Sequence, residues 1–226
     1  RSELLIENHG WRKKVILQKS LLKFLDLAML LFESINPTKF IFLVLVTTSL
    51  TVQAGWNLDQ SNSSIVFISI KNNQIPERHN FQKISGSMTS EGVVNVIIDL
   101  DSVNTKIPIR NERMRNLFFE TKLFPSATFS AQIPATDLNF ETEHFRVLDV
   151  NGRLKLHGME ADLKSRVTIL NKNNTLRVIT NYPILIASED FNLTAGVAKL
   201  QKIAGLNAIS SIVPVILDLV FVESID

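Results

Sequence analysis

Val94-Asn95-Val96-Ile97-Ile98-Asp99-Leu100 is the stretch on which the fold turns. In an extended chain, side chains i and i+2 share a face. Val94, Val96, Ile98 and Leu100 therefore fall on one side, and Asn95, Ile97 and Asp99 on the other. One face is apolar throughout, as a strand laid against a core requires. The pattern recurs outward along the chain. Leu163, Val167 and Ile169 alternate with Lys164, Arg166 and Thr168, and Val215, Leu217, Leu219 and Phe221 share a face near the C-terminus. Further strands are predicted over residues 64–71, 81–88, 127–133, 145–157, 175–182 and 184–187, each rich in β-branched or aromatic side chains. Turn signals separate them at Asn72-Asn73, Glu91-Gly92, Asn151-Gly152 and residues 171–174,. Asn151-Gly152 reads equally as a bulge or bend inside one long strand.

Two segments change period. Residues 111–120 carry Met114, Leu117 and Phe118 at helical spacing, and residues 195–206 carry Val197, Leu200, Ile203 and Ala204, ending near Gly205,. Both read as short helical insertions between strands. Many short antiparallel strands in one domain predict an all-β fold, a barrel or a sandwich. No solenoid repeat or low-complexity linker divides it.

The composition narrows the chemistry. The chain has 226 residues, 45% hydrophobic and 20% charged, enough for one domain with a substantial core,. It has no Cys, which excludes disulfides, thiolate metal sites and a Cys nucleophile,. Residues 1–54 carry seven Lys/Arg against four Asp/Glu, and residues 55–226 carry 17 against 18. The basic balance thus belongs to the leader. A near-neutral remainder has no electrostatic basis for binding DNA or RNA.

The leader reads as a processing segment. Residues 40–50 are its most apolar run; Lys39 precedes them, and Val52-Gln53-Ala54 follow, then Gly55-Trp56. A basic flank, an apolar run of about a dozen residues and small residues at −3 and −1 are the layout of a secretory signal peptide. A membrane span needs about 20 apolar residues. Cleavage is expected after Ala54, with residues 29–54 as the signal peptide, starting at Met29, and residues 55–226 as the mature domain in the periplasm. Residues 1–28 are expected to be a non-native upstream extension. Residues 11–31 could alternatively form a basic amphipathic helix at a membrane surface.

A search for reactive constellations finds little. The His residues are His9, His79, His144 and His157, and no pair has the spacing of a zinc motif,. Each reads as a surface or turn residue. No phosphate-binding Gly-rich loop and no G-x-S-x-G elbow is present. Glu189-Asp190 read as caps of the helix that follows. Arg110, Arg113 and Arg115, with Glu112 and Glu120, read either as an anion or head-group site or, preferably, as an ion-paired helix surface at a barrel rim. Asn62, Asn173 and Asn192 stand in N-x-[ST] triplets, which matter only in a host that glycosylates. No catalytic residue and no metal ligand is expected, and no cofactor is required.

Six motifs, in order, resemble the YceI-like family of exported lipid-binding proteins. Trp56-Asn57-Leu58-Asp59 followed by Ser64-Ile65-Val66-Phe67 resembles its opening strand, and Leu100-Asp101-Ser102-Val103-Asn104-Thr105 its "SV.T" segment. Arg110-Asn111-Glu112-Arg113-Met114-Arg115 with Phe118-Phe119-Glu120 is similar to the "R..HLR…FF" helix, and Phe124-Pro125-Ser126-Ala127-Thr128-Phe129 to the "YP…F" strand. Gly152-Arg153-Leu154-Lys155-Leu156-His157-Gly158 resembles "G.L.LHG", and the tail from Phe191-Asn192-Leu193 through Val213-Pro214-Val215 is also similar. The likeness spans residues 56–222. Two departures stand out: Arg113 occupies a place where the family often has His, and Ala187-Ser188 precede Glu189-Asp190 where many members have Arg.

The resemblance implies an extended, lipocalin-like antiparallel barrel of about eight strands that holds a polyisoprenoid, or the tail of an isoprenoid quinone, in a tunnel. A barrel of that size is just wide enough for a slender ligand. Strand parity then nominates Ile65, Phe67, Val96, Ile98, Leu100, Phe129, Leu154, Leu156, Val167, Ile169, Val178, Val215, Leu217 and Leu219 as lining. Phe118 and Phe119 would gate or close one end. The function expected is an exported carrier of a long apolar lipid, not an enzyme, with transient membrane contact and a homodimer both allowed. The alternatives are an accessory protein of a membrane quinone or cytochrome system and, less favoured, an enzyme acting on an apolar substrate.

Overall fold

A computed structural model describes residues 55–224 apart from Asn139, residues 141–144 and Asn174. The expectations for the upstream extension, the signal peptide, the cleavage site, the amphipathic segment, His9 and His144 lie outside the described residues. Twelve strands join into one antiparallel sheet that closes as an eight-stranded barrel. Eight staves arise from twelve strands because three staves are broken by bends and one strand is a short addition.

The first stave is β1 (Gly55–Leu58) and β2 (Ser64–Lys71). Between them a tight turn, Gln60–Asn62, is capped by Asp59, whose carboxylate accepts from Ser61 N at 2.9 Å and Asn62 N at 3.3 Å. The second is β3 (Ile75–Phe81) and β4 (Ile84–Thr89). Its bend is held by Ser102 Oγ, which accepts from the backbone N–H groups of Gln82 and Lys83 at 3.1 and 3.0 Å. The sequence reading expects one strand over 81–88; the structure divides that segment at the bend and adds β3, which the reading lacks.

β5 (Val93–Asp99), β6 (Val103–Asn104, a short addition beside β3), β7 (Ser126–Gln132), β8 (Phe145–Leu156) and β9 (Met159–Lys172) follow. β10 (Thr175–Thr180) and β11 (Ile184–Ala187) make another broken stave, and β12 (Ile212–Glu223) is the last. β12 closes the barrel: it pairs with β10 and β11 along one edge and with β1 and β2 along the other.

The alternation read from residues 94–100 is realised in β5. Val94 and Val96 are buried, whereas Val93 and Ile97 are exposed. Asn151-Gly152 lies inside β8, not at a turn. A Cβ on Gly152 would stand 2.2 Å from Phe129 Cζ, so the missing side chain makes room for an inward-facing ring on β7,. Asn72 and Asn73 both take positive φ, 50° and 61°, in the three-residue loop, 72–74, that closes the β2–β3 hairpin,. On the outer surface, the Arg166–Asp149 and Arg177–Asp218 pairs are solvent-exposed forks that add little to stability,.

Two helical insertions complete the fold. α1 (Pro108–Arg113) begins with Pro, whose fixed φ suits a first turn,. It passes directly into a π-helical turn, Met114–Phe119, which ends at Glu120 with φ 49°. α2 (Thr194–Ala204) ends on Gly205 with φ 63°,. Glu189 and Asp190 do not cap it. They are exposed in a turn of their own, Glu189–Phe191, whose Phe191 is buried, and α2 starts after Leu193 with no side-chain cap. α2 packs on the π-helical turn, with Gly196 against Phe118; a Cβ there would lie 2.9 Å from Phe118 Cδ2. Among the described residues no helix is long and apolar enough to cross a membrane.

Candidate functional site

Inside the barrel lies a cavity of about 450 Å³. That volume is in the usual range for ligand sites. Its extent follows from one strand. Val213, Val215, Leu217, Leu219 and Phe221 of β12 all line it. Eight residue steps at ~3.3 Å make a wall of roughly 26 Å along that strand. The cavity is thus long and narrow, suited to an extended chain.

Fourteen of the nominated residues stand on its wall: Ile65, Phe67, Val96, Ile98, Leu100, Phe118, Phe129, Leu154, Leu156, Val167, Val178, Val215, Leu217 and Leu219. Ile169 does not. It is fully buried among Leu176, Phe221 and Val167 and has no free surface towards the cavity. Strand parity places it inside the barrel, but the interior at that position is packed solid. Phe118 and Phe119 meet edge to face, ring centroids 4.7 Å apart, and both line the wall. From them a file of rings runs through Phe81 and Phe67 to His79, with centroid separations of 5.8, 5.3 and 5.2 Å. Gly196 packs Phe118 against α2, so this pair serves as part of a closed wall.

Of all the lining residues, only Ile107, Ile109 and Ala204 are exposed. The mouth therefore opens where the β2–β3 hairpin, the loop into α1 and the end of α2 meet. Asn72 joins two of these segments: its Oδ1 accepts from Asn207 N at 2.9 Å and Ala208 N at 3.3 Å. Asn111 secures the third, its Oδ1 accepting from Thr105 N at 2.7 Å and Thr105 Oγ1 at 2.6 Å.

Just inside the mouth the wall turns polar. Ser69, Lys71, His79, Thr105, Arg110 and Arg113 line it there. Arg110 donates to Glu77 Oε2 at 2.6 Å and to the Thr105 carbonyl at 2.7 Å, and Lys71 Nζ lies 2.5 Å from the same carboxylate oxygen. Burial pushes the Glu77 carboxyl up, but the hydrogen bond from Lys71 and the charges of Arg110 and Lys71 outweigh it and hold the group below the usual carboxylate range,. The sequence reading of the arginines as a self-paired helix surface does not hold. Arg110 and Arg113 face the cavity, Arg115 pairs with Asp101 at 3.7 Å, and Glu120 reaches His157 instead.

The histidines also depart from expectation. His79 is 5% exposed and shares a 2.9 Å hydrogen bond with Ser69 Oγ through Nε2. Burial, with the Arg110 charge next, lowers its pKa from 6.5 to about 4 against the opposing pull of Glu77. His157 does sit at a turn, yet its ring is bonded on both sides, to Glu120 Oε2 at 3.0 Å and to the Phe191 carbonyl at 3.2 Å. It ties the π-helical turn to the segment before α2.

Neutral burial of His79 has a consequence for stability. Between pH 6.5 and about 4 the unfolded chain holds a proton on this ring that the folded chain does not,. The contribution is complete above pH 6.5 and is lost as the pH falls towards 4. Urea unfolding of the wild type should therefore lose roughly 3 kcal/mol more over that interval than unfolding of His79→Gln,. Parallel pH profiles for the two proteins would show that His79 titrates as it does in the unfolded chain.

Among the described residues, no group of three His, Asp or Glu could hold a metal ion. The arrangement is one of containment: an apolar tunnel with a mouth and a polar collar inside it. A family model, the YceI-like domain, matches residues 56–221. A polyisoprenoid-binding domain from Saccharophagus degradans, implicated in plant cell wall breakdown, is 32% identical. The match covers 75% of this chain and 98% of that one, with a TM-score of 0.72. BcnA of Burkholderia cenocepacia shares the fold at 21% identity, over 72% of this chain and 98% of its own, with a TM-score of 0.58. No match was found among functionally curated proteins.

Proposed function

The chain belongs to the YceI-like family, and from that premise we propose that it is an exported carrier of a long apolar lipid, a polyisoprenoid or the tail of an isoprenoid quinone. The observation that carries this reading is the cavity itself: apolar along the length of β12 and, among the described residues, without one Asp or Glu in its lining. Affinity would come from burying alkyl surface, worth ~25 cal/mol per Å². Each isoprene unit adds such surface without asking for a directed hydrogen bond. The Saccharophagus domain, one-third identical over nearly its whole length, is described as polyisoprenoid-binding and supports the ligand class.

The protein acts by enclosing its ligand. Among the described residues the hydroxyl–imidazole pair on the wall, Ser69 Oγ with His79 Nε2 at 2.9 Å, has no third group on Nδ1 to orient the ring as a base,. Binding requires no cofactor. The nominated wall residues would contact the chain, and Phe118 and Phe119 would contact it beside α2. Export to the periplasm follows from the signal-peptide layout of residues 29–54, with cleavage after Ala54,. N-terminal sequencing of the mature product tests that step.

Mass spectrometry of an organic extract of the protein, purified from the periplasm of its host, tests the function. One isoprenoid per barrel is the expected result. An empty barrel that also refuses added polyprenol and quinone would overturn the carrier reading and favour an accessory role at a membrane complex.

A further inference from the structure

Charge is unevenly spread along residues 55–226. The three segments that meet at the mouth, residues 71–78, 104–113 and 199–210, hold seven Lys/Arg against two Asp/Glu. The rest of residues 55–226 holds ten against sixteen. The mouth end is thus positive and the remainder negative. Among the exposed cations of these segments, Lys106 lies on the loop into α1, and Lys199 and Lys202 lie on α2. Glu112 is their one exposed carboxylate.

The same segments carry apolar side chains out into solvent. Ile75, Ile107, Ile109 and Ile203 are 44–52% exposed, and they are four of the seven exposed isoleucines among the described residues. Ile107 and Ile109 stand at the opening itself. Ile75 pairs with Lys71 at the tip of the β2–β3 hairpin, and Lys71 also bridges to Ile209 beyond α2. Ile203 immediately precedes Ala204, the exposed lining residue at the end of α2. An apolar residue exposed singly needs no explanation. These four surround the entrance to an apolar cavity and are flanked by cations.

Apolar tips ringed by cations suit one kind of surface. Isoleucines gain by leaving water for acyl chains, while Lys stems lie along the apolar zone and keep their ammonium groups among lipid head groups. An anionic leaflet attracts each cation held near its surface. A second copy of the chain is disfavoured at this face, because two positive mouths would oppose each other. A bilayer is also where a long apolar lipid resides, and a mouth pressed to it lets the chain pass without crossing water.

We propose that the protein docks mouth-first on an anionic lipid bilayer, with the four isoleucines seated among the acyl chains and Lys106, Lys199 and Lys202 against the head groups. The docked barrel exchanges its ligand directly with the bilayer. That purpose rests on the lipid-carrier reading above, whereas the docking surface lies outside the cavity and can be altered without it.

In the test, protein purified from the periplasm of its host is sedimented with vesicles of phosphatidylcholine alone and of phosphatidylcholine mixed with phosphatidylglycerol. Binding is expected on the mixed vesicles, and rising salt should weaken it. Ile75→Asn combined with Ile203→Asn should weaken it about tenfold. Lys199→Gln and Lys202→Gln should each weaken it about fivefold. All four positions are exposed and off the cavity wall, so displacement of a fluorescent apolar probe by polyprenol in solution should match the wild type. The chain has no Cys, so Ile203→Cys accepts a single environment-sensitive dye, whose emission should shift to the blue on mixed vesicles. Phe145 is exposed near the other end of β12, in the row Phe145–Leu170–Arg177–Val220, and the same dye on Phe145→Cys should not shift. Equal binding to both vesicle types would overturn the docking proposal, and so would a shift at Phe145 but not at Ile203. Undiminished vesicle binding by the double isoleucine variant would also overturn it. A protein that ignores vesicles yet takes up polyprenol would overturn the docking and leave the carrier reading intact. Cross-linking from position 203 to a membrane protein, without vesicle binding, would reassign the surface to a protein partner. Loss of both vesicle binding and polyprenol uptake would overturn the two readings together.

Discussion

Val96→Trp is expected to keep the barrel folded and to weaken polyprenol binding by a factor of about 70. Val96 lies mid-strand in β5, buried, with its side chain on the cavity wall. It pairs with Gly86 on one side and Phe129 on the other. The glycine gives no side chain to clash with, so the indole is directed into the tunnel. Denying the ligand about 100 Å² of contact at ~25 cal/mol per Å² costs ~2.5 kcal/mol, which is that factor in Kd. Thermal melting of the variant controls for overpacking, which typically costs about 1–3 kcal/mol. A folded Val96→Trp protein with wild-type affinity would mean that the chain does not pass this point.

Phe191→Ala should act on stability instead, lowering the unfolding free energy by about 3–5 kcal/mol. Phe191 has no exposed surface and packs in the cluster of Leu100, Val103, Met114 and Phe119. It does not line the cavity. Its carbonyl also receives the His157 ring, so the turn that carries it is fixed from both sides and has little freedom to collapse into the void. The measurement is chemical denaturation of the two proteins at pH 7. A loss below about 1 kcal/mol would show that the segment before α2 relaxes around the missing ring. The two substitutions separate what holds the barrel together from what the barrel holds.

Much of this was legible in the chain before any coordinates. β2 and β11 fall at the residues expected, and β5, β7, β8 and β10 within one or two, because each is rich in β-branched or aromatic side chains,. β3 was not legible, and the reason is its role. Glu77 and His79 give it polar residues where a strand would be apolar: His79 is on the cavity wall, and Glu77 pairs with the lining Lys71 and Arg110. With Pro76 beside them the segment reads as a loop. A signal for the collar did exist in β2, where Ser69 and Lys71 continue the inward parity of Ile65 and Phe67. Ile169 errs in the other direction. Period-two reasoning separates inside from outside, but it cannot separate a wall that faces a void from one that faces packed side chains. Likewise the helical spacing of Met114, Leu117 and Phe118 does not announce a π-helical turn, which depends on how Phe119 is drawn into the barrel.

The closure of the sheet bears on how the molecule comes into being. Asn57 reaches Ser224, 167 positions further along the chain, and the first of the described strands has the last as its neighbour. Contacts so distant in sequence make folding slow. Until β12 arrives, β1 and β10 are unpaired margins that any passing strand could join. A truncated chain would remain in that state. Under the export proposed above, the same delay would have a use: the chain would stay extended for threading for as long as β12 is withheld.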